Sequence, residues 1–247
     1  MISIGVAGKG GTGKTTLSAL IVITLLRKGK KPVLAVDADP NSNLSETLGI
    51  AAPQSLVEIV DSVMEVKDNL PAGLEKTKYL EFKIKEAIHE DEGFDLLMMG
   101  KTEGEGCYCH ANSLLREFLD RIWKNYSFVV MDNEAGLEHL SRRTSRDLNF
   151  LLITTHNTRN SLLSVKRIKE MVQKLNLRIG KTFVVMNNVG YFQHNTYQQD
   201  PQDFDFLIPY DEEILIRSQE GKGLLNLPDS SPALIAVRKL LDNLMEL

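Results

Sequence analysis

The stretch Gly8-Lys-Gly-Gly-Thr-Gly-Lys-Thr-Thr16 determines how the rest of the chain is interpreted. It follows the apolar run Ile2–Val6, which predicts a short buried strand, and it precedes apolar residues at helical spacing, which predict a helix over Thr15–Lys28. A glycine-rich loop between a strand and a helix N-terminus presents backbone N–H groups and the positive end of the helix dipole, and both bind phosphate. The stretch therefore predicts a phosphate-binding loop.

The residues of this loop have separable expected roles. Lys14 can reach the β- and γ-phosphates of a nucleotide, and the Thr15 hydroxyl can ligate Mg²⁺. Glycines allow the positive φ angles and the close backbone approach that phosphate binding needs. ATP or ADP and Mg²⁺ are therefore the expected cofactors, and the expected nucleotide-binding residues of the loop are Gly8, Gly10, Gly11, Thr12, Gly13, Lys14, Thr15 and Thr16.

A dinucleotide-binding loop is the competing interpretation, because the spacing Gly-x-Gly-x-x-Gly also fits that fingerprint and Asp37 follows at roughly the expected distance. Two features favour a nucleoside triphosphatase instead. The fingerprint gives no reason for the Lys-Thr-Thr sequence that follows the glycines. The apolar run Phe128–Met131 ends in Asp132, which is typical of the strand-end carboxylate of a Mg²⁺-dependent triphosphatase.

Length and composition limit the remaining possibilities. The 247 residues suffice for one large domain, and we interpret residues 1–247 as a single P-loop ATPase domain. With 29 basic and 33 acidic residues the net charge is −4, so nothing global favours nucleic acid or an anionic membrane as a partner. No stretch approaches the length of a membrane span. The only two cysteines, Cys107 and Cys109, argue against a disulfide framework, and a reduced, cytoplasmic location is expected.

Strand-like and helical runs alternate along the chain, which predicts an α/β fold with a mainly parallel, doubly wound sheet flanked by helices. Further strands are expected at Pro32–Val36, Asp95–Met99, Phe128–Asp132, Phe150–Ile153, Thr182–Met186 and Phe206–Ile208. Further helices are expected at Ser113–Lys124, Ser161–Leu175 and Pro232–Glu246, with weaker candidates at Leu56–Met64 and Lys83–His89. The polar run Gln193–Asp205 is expected to form a surface loop.

Two further segments place carboxylates at predicted strand ends, where α/β sheets bind ligands. Asp37 and Asp39 lie in Asp-Ala-Asp-Pro-Asn-Ser-Asn, a composition that also forms turns for purely local reasons. Beside a phosphate loop, a functional role is favoured for Asp39 and then for Asp37. Asp132 is expected to hold Mg²⁺ through water, and Gly136 is expected to give a loop that senses the γ-phosphate.

Taken together, the three segments resemble the deviant Walker A ATPases, the group that includes MinD, ParA and the nitrogenase iron protein, over nearly the whole chain. The resemblance implies that Lys9 crosses a dimer interface to the partner's phosphates and that Asp39 orients the attacking water. Lys9, Lys14 and Asp39 are therefore the expected catalytic residues.

The same resemblance implies that Asn187 and Pro209 flank adenine, although an Asn after an apolar strand is equally often only a cap. The chain departs from the group's Asp-Thr-x-x-Gly sequence at the switch, where it has Asn133 and Glu134. The details of the switch therefore stay open.

Within this group, the segment Gly-Lys-Thr-Glu-Gly-Glu-Gly-Cys-Tyr-Cys-His, residues 100–110, resembles the CooC-type nickel-insertion ATPases, which mature carbon monoxide dehydrogenases. Cys107 and Cys109 are the expected metal ligands, and thiolates there would bind Ni²⁺ or Zn²⁺. Two thiolates cannot complete a tetrahedral or square-planar site, so a second subunit is expected to supply the other pair. The expected partners are therefore a second copy of the chain, joined on ATP or metal binding, and a carbon monoxide dehydrogenase-type client.

Three alternatives remain open. An electron-transfer or cluster-carrier ATPase with a bridging iron–sulfur cluster is the nearest rival, because a symmetric dimer would offer four cysteines. A ParA-like positioning protein would need a basic surface, and the clearest basic clusters are only Arg27–Lys31 and Arg142-Arg143. A MinD-like membrane switch would need a basic amphipathic helix, whereas the polar face of Pro232–Glu246 is of mixed charge. Neither nucleic acid nor a membrane is therefore an expected partner.

Overall fold

The computed structural model describes residues 1–65, 76–100, 119, 121–134, 147–190 and 200–246. The strands in these ranges are β1 Ile2–Gly8, β2 Val33–Ala38, β3 His89–Glu90, β4 Phe94–Met98, β5 Phe128–Asn133, β6 Asp147–Thr155, β7 Arg178–Val189 and β8 Phe206–Pro209. The α-helices are α1 Lys14–Arg27, α2 Leu44–Leu48, α3 Leu56–Glu65, α4 Lys76–Glu86, α5 Arg159–Lys174, α6 Glu212–Gln219 and α7 Pro232–Met245.

The strands form one sheet in the order β3-β4-β2-β5-β1-β6-β7-β8. All neighbouring pairs are parallel except β3 and β4, which are antiparallel. The carboxyl ends of the parallel strands therefore share one edge of the sheet, which is the edge where such sheets bind ligands. The loop after β1 lies in the middle of this edge, between the ends of β5 and β6.

Helices cover both faces of the sheet. Leu34 and Val36 of β2 pack into the cluster that contains α3, α4 and α5, whereas Val33 and Ala35 pack into the cluster that contains α1 and α7. The central strands β1, β2 and β5 are buried along almost their whole length, which explains why their sequences are nearly continuous apolar runs. The expected α/β, doubly wound fold is confirmed.

Most differences from the expected elements concern their ends. β1 continues past Val6 to Gly8, and β7 begins at Arg178, before the expected Thr182. The candidate helix Lys83–His89 is wrong at its C-terminal end, because α4 ends at Glu86 and His89 begins β3. The helix α3 agrees with the candidate at Leu56–Met64 to within one residue.

Two expected segments lie only partly within the described ranges. Of the expected helix Ser113–Lys124, Leu119 and Arg121–Trp123 are helical and Lys124 lies in a turn. Of the expected loop Gln193–Asp205, Pro201–Asp203 forms a single 3₁₀ turn. Among the residues that the structure describes, no helix is long and apolar enough to cross a membrane.

Candidate nucleotide-binding site

The loop between β1 and α1 leaves its backbone open to a ligand. Helix α1 begins at Lys14, and the preceding Gly13 is in the left-handed conformation, with φ 84° and ψ 30° and no side-chain cap on the helix. The first N–H groups of α1 therefore lack a capping side chain. A Cβ atom added at Gly10 or Gly11 would meet nothing within 4 Å, so the space beside these glycines is open. Free N–H groups next to open space are what a phosphate chain requires.

Thr12 anchors the loop to β6 and β7. Its hydroxyl donates to the Lys9 carbonyl at 2.7 Å and lies 2.8 Å from the Thr154 hydroxyl at the end of β6. The Thr12 carbonyl accepts a hydrogen bond from Nδ2 of Asn187 in β7 at 3.0 Å. The loop is therefore held in its shape before any nucleotide binds, which reduces the entropy lost on binding.

The two lysines of the loop lie in different environments. Lys14 is buried, with 8% of its surface exposed, and its charge acts on the carboxyl group of Asp132. Lys9 is exposed. Thr15 and Thr16 are half-buried at the start of α1. Lys14 is thus placed to serve its own loop, and Lys9 is accessible to another molecule.

Asp132 lies at the end of β5, in register with Val6 of β1 and Asp37 of β2, and is fully buried. Its Oδ1 accepts a hydrogen bond from the Ser18 hydroxyl at 3.3 Å. Its Oδ2 is buried and has no hydrogen-bond partner among the described residues. Burial raises the pKa of Asp132 to about 6, although a hydrogen bond from Thr15 and the charge of Lys14 act in the opposite direction.

This arrangement fits Mg²⁺. The ion takes carboxylate, hydroxyl, water and phosphate oxygens as ligands. Asp132 offers a buried carboxylate oxygen without a partner, and Thr15 is close enough to hydrogen-bond to that carboxyl group. A buried polar atom left unpaired costs free energy, so a ligand at this point would remove an existing penalty.

Asp37 is also fully buried, and both of its oxygens accept backbone hydrogen bonds. The donors are the N–H of Asp39 at 3.1 Å and the N–H of Leu44 at 2.8 Å. Burial raises the pKa of Asp37 to about 7, and the nearby charge of Asp132 acts in the same direction. Asp37 therefore helps to build the turn that carries Asp39.

Asp39 differs from Asp37 in being half-buried at the same edge of the sheet. Its Oδ1 accepts hydrogen bonds from the backbone N–H and the side-chain amide of Asn41, both at 2.9 Å. These bonds fix the carboxyl group while leaving it accessible, which suits a residue that orients a water molecule.

A cavity of about 300 Å³ opens beside the loop and brings the two predicted adenine residues, Asn187 and Pro209, to one place. Such a volume suits a small-molecule ligand group with a few polar contacts. The lining combines apolar side chains of α1 and α6 with residues of the phosphate loop and of the ends of β7 and β8. Besides Asn187 and Pro209, it includes Gly11, Gly13, Thr16, Leu17, Leu20, Asn188, Ile208, Tyr210, Asp211, Ile214 and Leu215.

Sequence reasoning missed three polar residues of this region. Ser18 lies one helical turn after Lys14, so the i, i+4 spacing could have placed it on the same face of α1. Thr154 ends an apolar run at the ligand edge, where it could have been considered. Asp211 is buried beside the cavity and accepts hydrogen bonds from the N–H of Glu213 at 3.1 Å and the hydroxyl of Ser231 at 2.5 Å, joining α6 to α7.

Three predicted site residues, Cys107, Cys109 and Gly136, lie outside the described residues. The strand before the cysteines, β4, is parallel to β2 and ends at Met98. The described part of the chain therefore leaves β4 at the ligand edge of the sheet.

Comparison with known proteins agrees with this geometry. The model of a family described as AAA domain matches residues 1–185. The chain belongs to this family of P-loop ATPases, of the MinD/ParA type. An uncharacterised ATP-binding protein of Methanocaldococcus jannaschii is 36% identical over 248 residues, covering 98% of each chain.

More distant relatives extend the comparison. The carbon monoxide dehydrogenase accessory protein CooC of Rhodospirillum rubrum is 29% identical over 249 residues, covering 94% of this chain and 91% of CooC. The MinD cell division protein of Aquifex aeolicus superposes with a TM-score of 0.71 at 19% identity, over 100% of this chain and 98% of MinD. A ParA family ATPase of Chlorobium tepidum gives a TM-score of 0.71 at 17% identity over 96% of each chain. The two structures establish a shared fold.

Proposed function

We propose that this family member hydrolyses ATP to ADP and phosphate with Mg²⁺ as its cofactor. The observation that carries the proposal is Oδ2 of Asp132, which is buried beside an open phosphate loop and has no hydrogen-bond partner in the part of the chain that the structure describes. A purely structural carboxyl group at this depth would be fully hydrogen-bonded.

The residues of the site have different proposed roles in this reaction. Lys14 and the loop N–H groups bind the β- and γ-phosphates, and Asn187 and Pro209 flank the adenine in the adjoining cavity. Mg²⁺, when held by Thr15 and Asp132, supplies charge neutralisation on the phosphate oxygens. Asp39 orients a water molecule for in-line attack on the γ-phosphorus, and the bond from that phosphorus to the bridging oxygen breaks to release ADP.

We further propose that the ATPase is a maturation factor that delivers nickel to a carbon monoxide dehydrogenase-type enzyme. Three observations support this role: the relationship to CooC, the Cys-x-Cys sequence at residues 107–109, and the position of the end of β4, the preceding strand, at the ligand edge of the sheet. Soft thiolate ligands bind Ni²⁺ and Zn²⁺ well.

The proposed coupling uses two copies of the chain. ATP draws two protomers together because the exposed Lys9 of each reaches the phosphates of the other. The same closure joins two Cys107/Cys109 pairs into a four-sulfur site. Hydrolysis then loosens the dimer, so cargo is released only after ATP has been consumed.

Reconstitution of a nickel-free carbon monoxide dehydrogenase tests this function. We expect activation to require this protein, Ni²⁺, Mg²⁺ and ATP together. Lys14→Ala should abolish both nucleotide binding and activation, because the phosphate contacts are lost. Cys107→Ser should retain ATP hydrolysis and lose activation. Hydrolysis without any activation by the unmodified protein would retain the ATPase and exclude nickel delivery.

Further measurements on the purified protein distinguish the alternative functions. A positioning ATPase of the MinD/ParA kind is favoured by the shared fold, and it would show ATP-dependent binding to DNA or to vesicles without activating the enzyme. A bridging iron–sulfur cluster would give a broad visible charge-transfer band in anaerobically purified protein. A colourless metal-loaded form would favour delivery of nickel.

A further inference from the structure

The exposed face of helix α5 concentrates positive charge on a protein that is acidic overall. In this 16-residue helix there is one acidic residue, Glu170, whereas the whole chain has a net charge of −4. All five of its basic side chains are exposed: Arg159, Lys166, Arg167, Lys169 and Lys174. We call this set, together with Leu163, the α5 face.

The opposite side of α5 holds the helix on the sheet. Ser161, Val165 and Ile168 are buried, and the last two belong to the core cluster of that layer. The residues of the α5 face recur three or four positions apart, so they line the side that points away from the sheet. Leu163 lies among the cations and is 45% exposed.

Within the described ranges, none of Lys166, Arg167, Lys169 and Lys174 has a carboxylate within ion-pair distance. The cations of this helix are therefore not arranged as a network of internal ion pairs.

The charge pattern also works against the helix itself. Arg159 is the first residue of α5, and no acidic residue lies in the first turn, although the positive end of the helix dipole favours acidic side chains there. Lys166 and Lys169 are like charges at i, i+3 and repel each other, and the single Glu170 offsets only part of this repulsion. Only Lys174, in the last turn, is placed favourably for the dipole. Helix stability therefore does not account for the cluster.

We propose that the α5 face is a docking surface for a protein partner whose matching surface is acidic and contains an apolar recess for Leu163. Charge complementarity selects the acidic partner, and a large apolar side chain at the centre of the cations selects protein over nucleic acid. No residue of the α5 face is among those that line the cavity beside the phosphate loop, and docking here would not require any particular cargo.

A synthetic probe tests the chemistry of this surface directly. The probe is a fluorescent peptide of Glu-Glu-Leu repeats that matches the length of α5, and binding is measured by anisotropy at low and at physiological salt. The comparison probes are the peptide with Lys in place of Glu and a short DNA duplex. We expect the acidic peptide to bind and the other two to bind at least about tenfold more weakly.

Matched variants locate the binding. The double variant Lys166→Glu with Arg167→Glu should weaken peptide binding about tenfold or more, and Leu163→Ser should weaken it several-fold. The control is Lys30→Glu with Lys239→Glu, which changes two exposed lysines elsewhere and alters the net charge by the same amount as the first double variant. It should leave the affinity for the acidic peptide within about twofold of that of the unmodified protein. Unchanged ATP binding and thermal midpoint verify that each variant is folded.

Three results would overturn the proposal. The first is that the acidic peptide does not bind to the unmodified protein. The second is that the two double variants lose affinity for the peptide equally, and the third is that the DNA duplex binds more tightly than the acidic peptide. The last result would identify a nucleic-acid surface instead.

Discussion

Two buried carboxyl groups, Asp37 and Asp132, face each other across neighbouring strands at the ligand edge. They are in register between β2 and β5, and burial raises the pKa of both. Their surroundings differ, since both oxygens of Asp37 accept backbone hydrogen bonds and Oδ2 of Asp132 has no partner among the described residues. At the scale of single residues, one group therefore shapes the backbone and the other is available to a ligand.

This pair predicts a pH dependence of stability. The pKa of Asp37 rises from 3.8 to about 7 on folding, so the folded protein binds a proton that the unfolded chain has released. The free energy of unfolding should therefore fall as the pH rises from about 4 to about 7, by at most about 1.4 kcal/mol per pH unit for each such group, and level off above that range. Urea unfolding of the nucleotide-free protein across this range measures the slope.

The variant Asp37→Asn assigns the slope to its source. It cannot titrate, so its unfolding free energy should vary less with pH over the same window, even if its stability is lower because one backbone acceptor is lost. A pH profile equal to that of the unmodified protein would show that Asp37 is ionised in the folded state.

At the scale of elements, the glycines of the phosphate loop carry two different constraints. Gly13 has a φ of 84°, and a Cβ there would lie 2.1 Å from Nδ2 of Asn187. Gly10 has open space around it. Gly13 is therefore required by the fold of the loop, whereas no packing contact among the described residues requires a glycine at position 10.

The substitutions Gly13→Ala and Gly10→Ala should separate these constraints. Gly13→Ala should lower the free energy of unfolding by about 1–3 kcal/mol, because it adds backbone strain and displaces Asn187. Gly10→Ala should change stability by less than about 0.5 kcal/mol yet weaken nucleotide binding, since its methyl group enters the phosphate space. Chemical denaturation and titration with a fluorescent ATP analogue measure the two effects. Equal stability of the two variants would contradict the distinction.

The long elements were predictable from sequence because their patterns depend on burial that extends over many residues. The apolar runs of β1, β2 and β5 and the helix α1 are examples. The short β3, with two residues, and α6, with no buried residue, gave no periodic pattern to detect. α6 is instead placed by its cap Asp211, through a contact with Ser231 that is distant in the chain. Tertiary contacts of this kind cannot be inferred from local spacing.

The same limit applies to the site. The loop and the strand-end carboxylates Asp37 and Asp132 were predictable, because parallel strands bring their ends to one edge. The bond from Asn187 to the Thr12 carbonyl joins residues from opposite halves of the chain, and only the fold brings them together. Asn187 therefore supports the phosphate loop in addition to lining the cavity.

At the scale of the whole molecule, we propose that the exposed Lys9 links one protomer to another. Lys14 is buried at the start of α1 and already serves its own loop, so a second cation at the loop's entrance is available to a partner's phosphates. Lys9→Ala should therefore bind one nucleotide per protomer with little loss of affinity, but it should not dimerise with a non-hydrolysable ATP analogue. Light scattering measures the mass of the complex. Dimer formation equal to that of the unmodified protein would show that Lys9 acts within its own subunit.

Closure of such a dimer makes a specific prediction for the two cysteines, since the chain offers only Cys107 and Cys109 and a thiolate site needs four ligands. We expect one divalent metal per dimer, with affinity that falls at low pH because thiolate ligation releases protons. Cys107→Ser and Cys109→Ser each remove two ligands at once, one from each subunit, so either change should abolish metal binding while ATP hydrolysis persists. Native mass spectrometry reports metal content and oligomeric state together. A ratio of one metal per monomer, or a ratio that survives either substitution, would exclude a site shared between subunits.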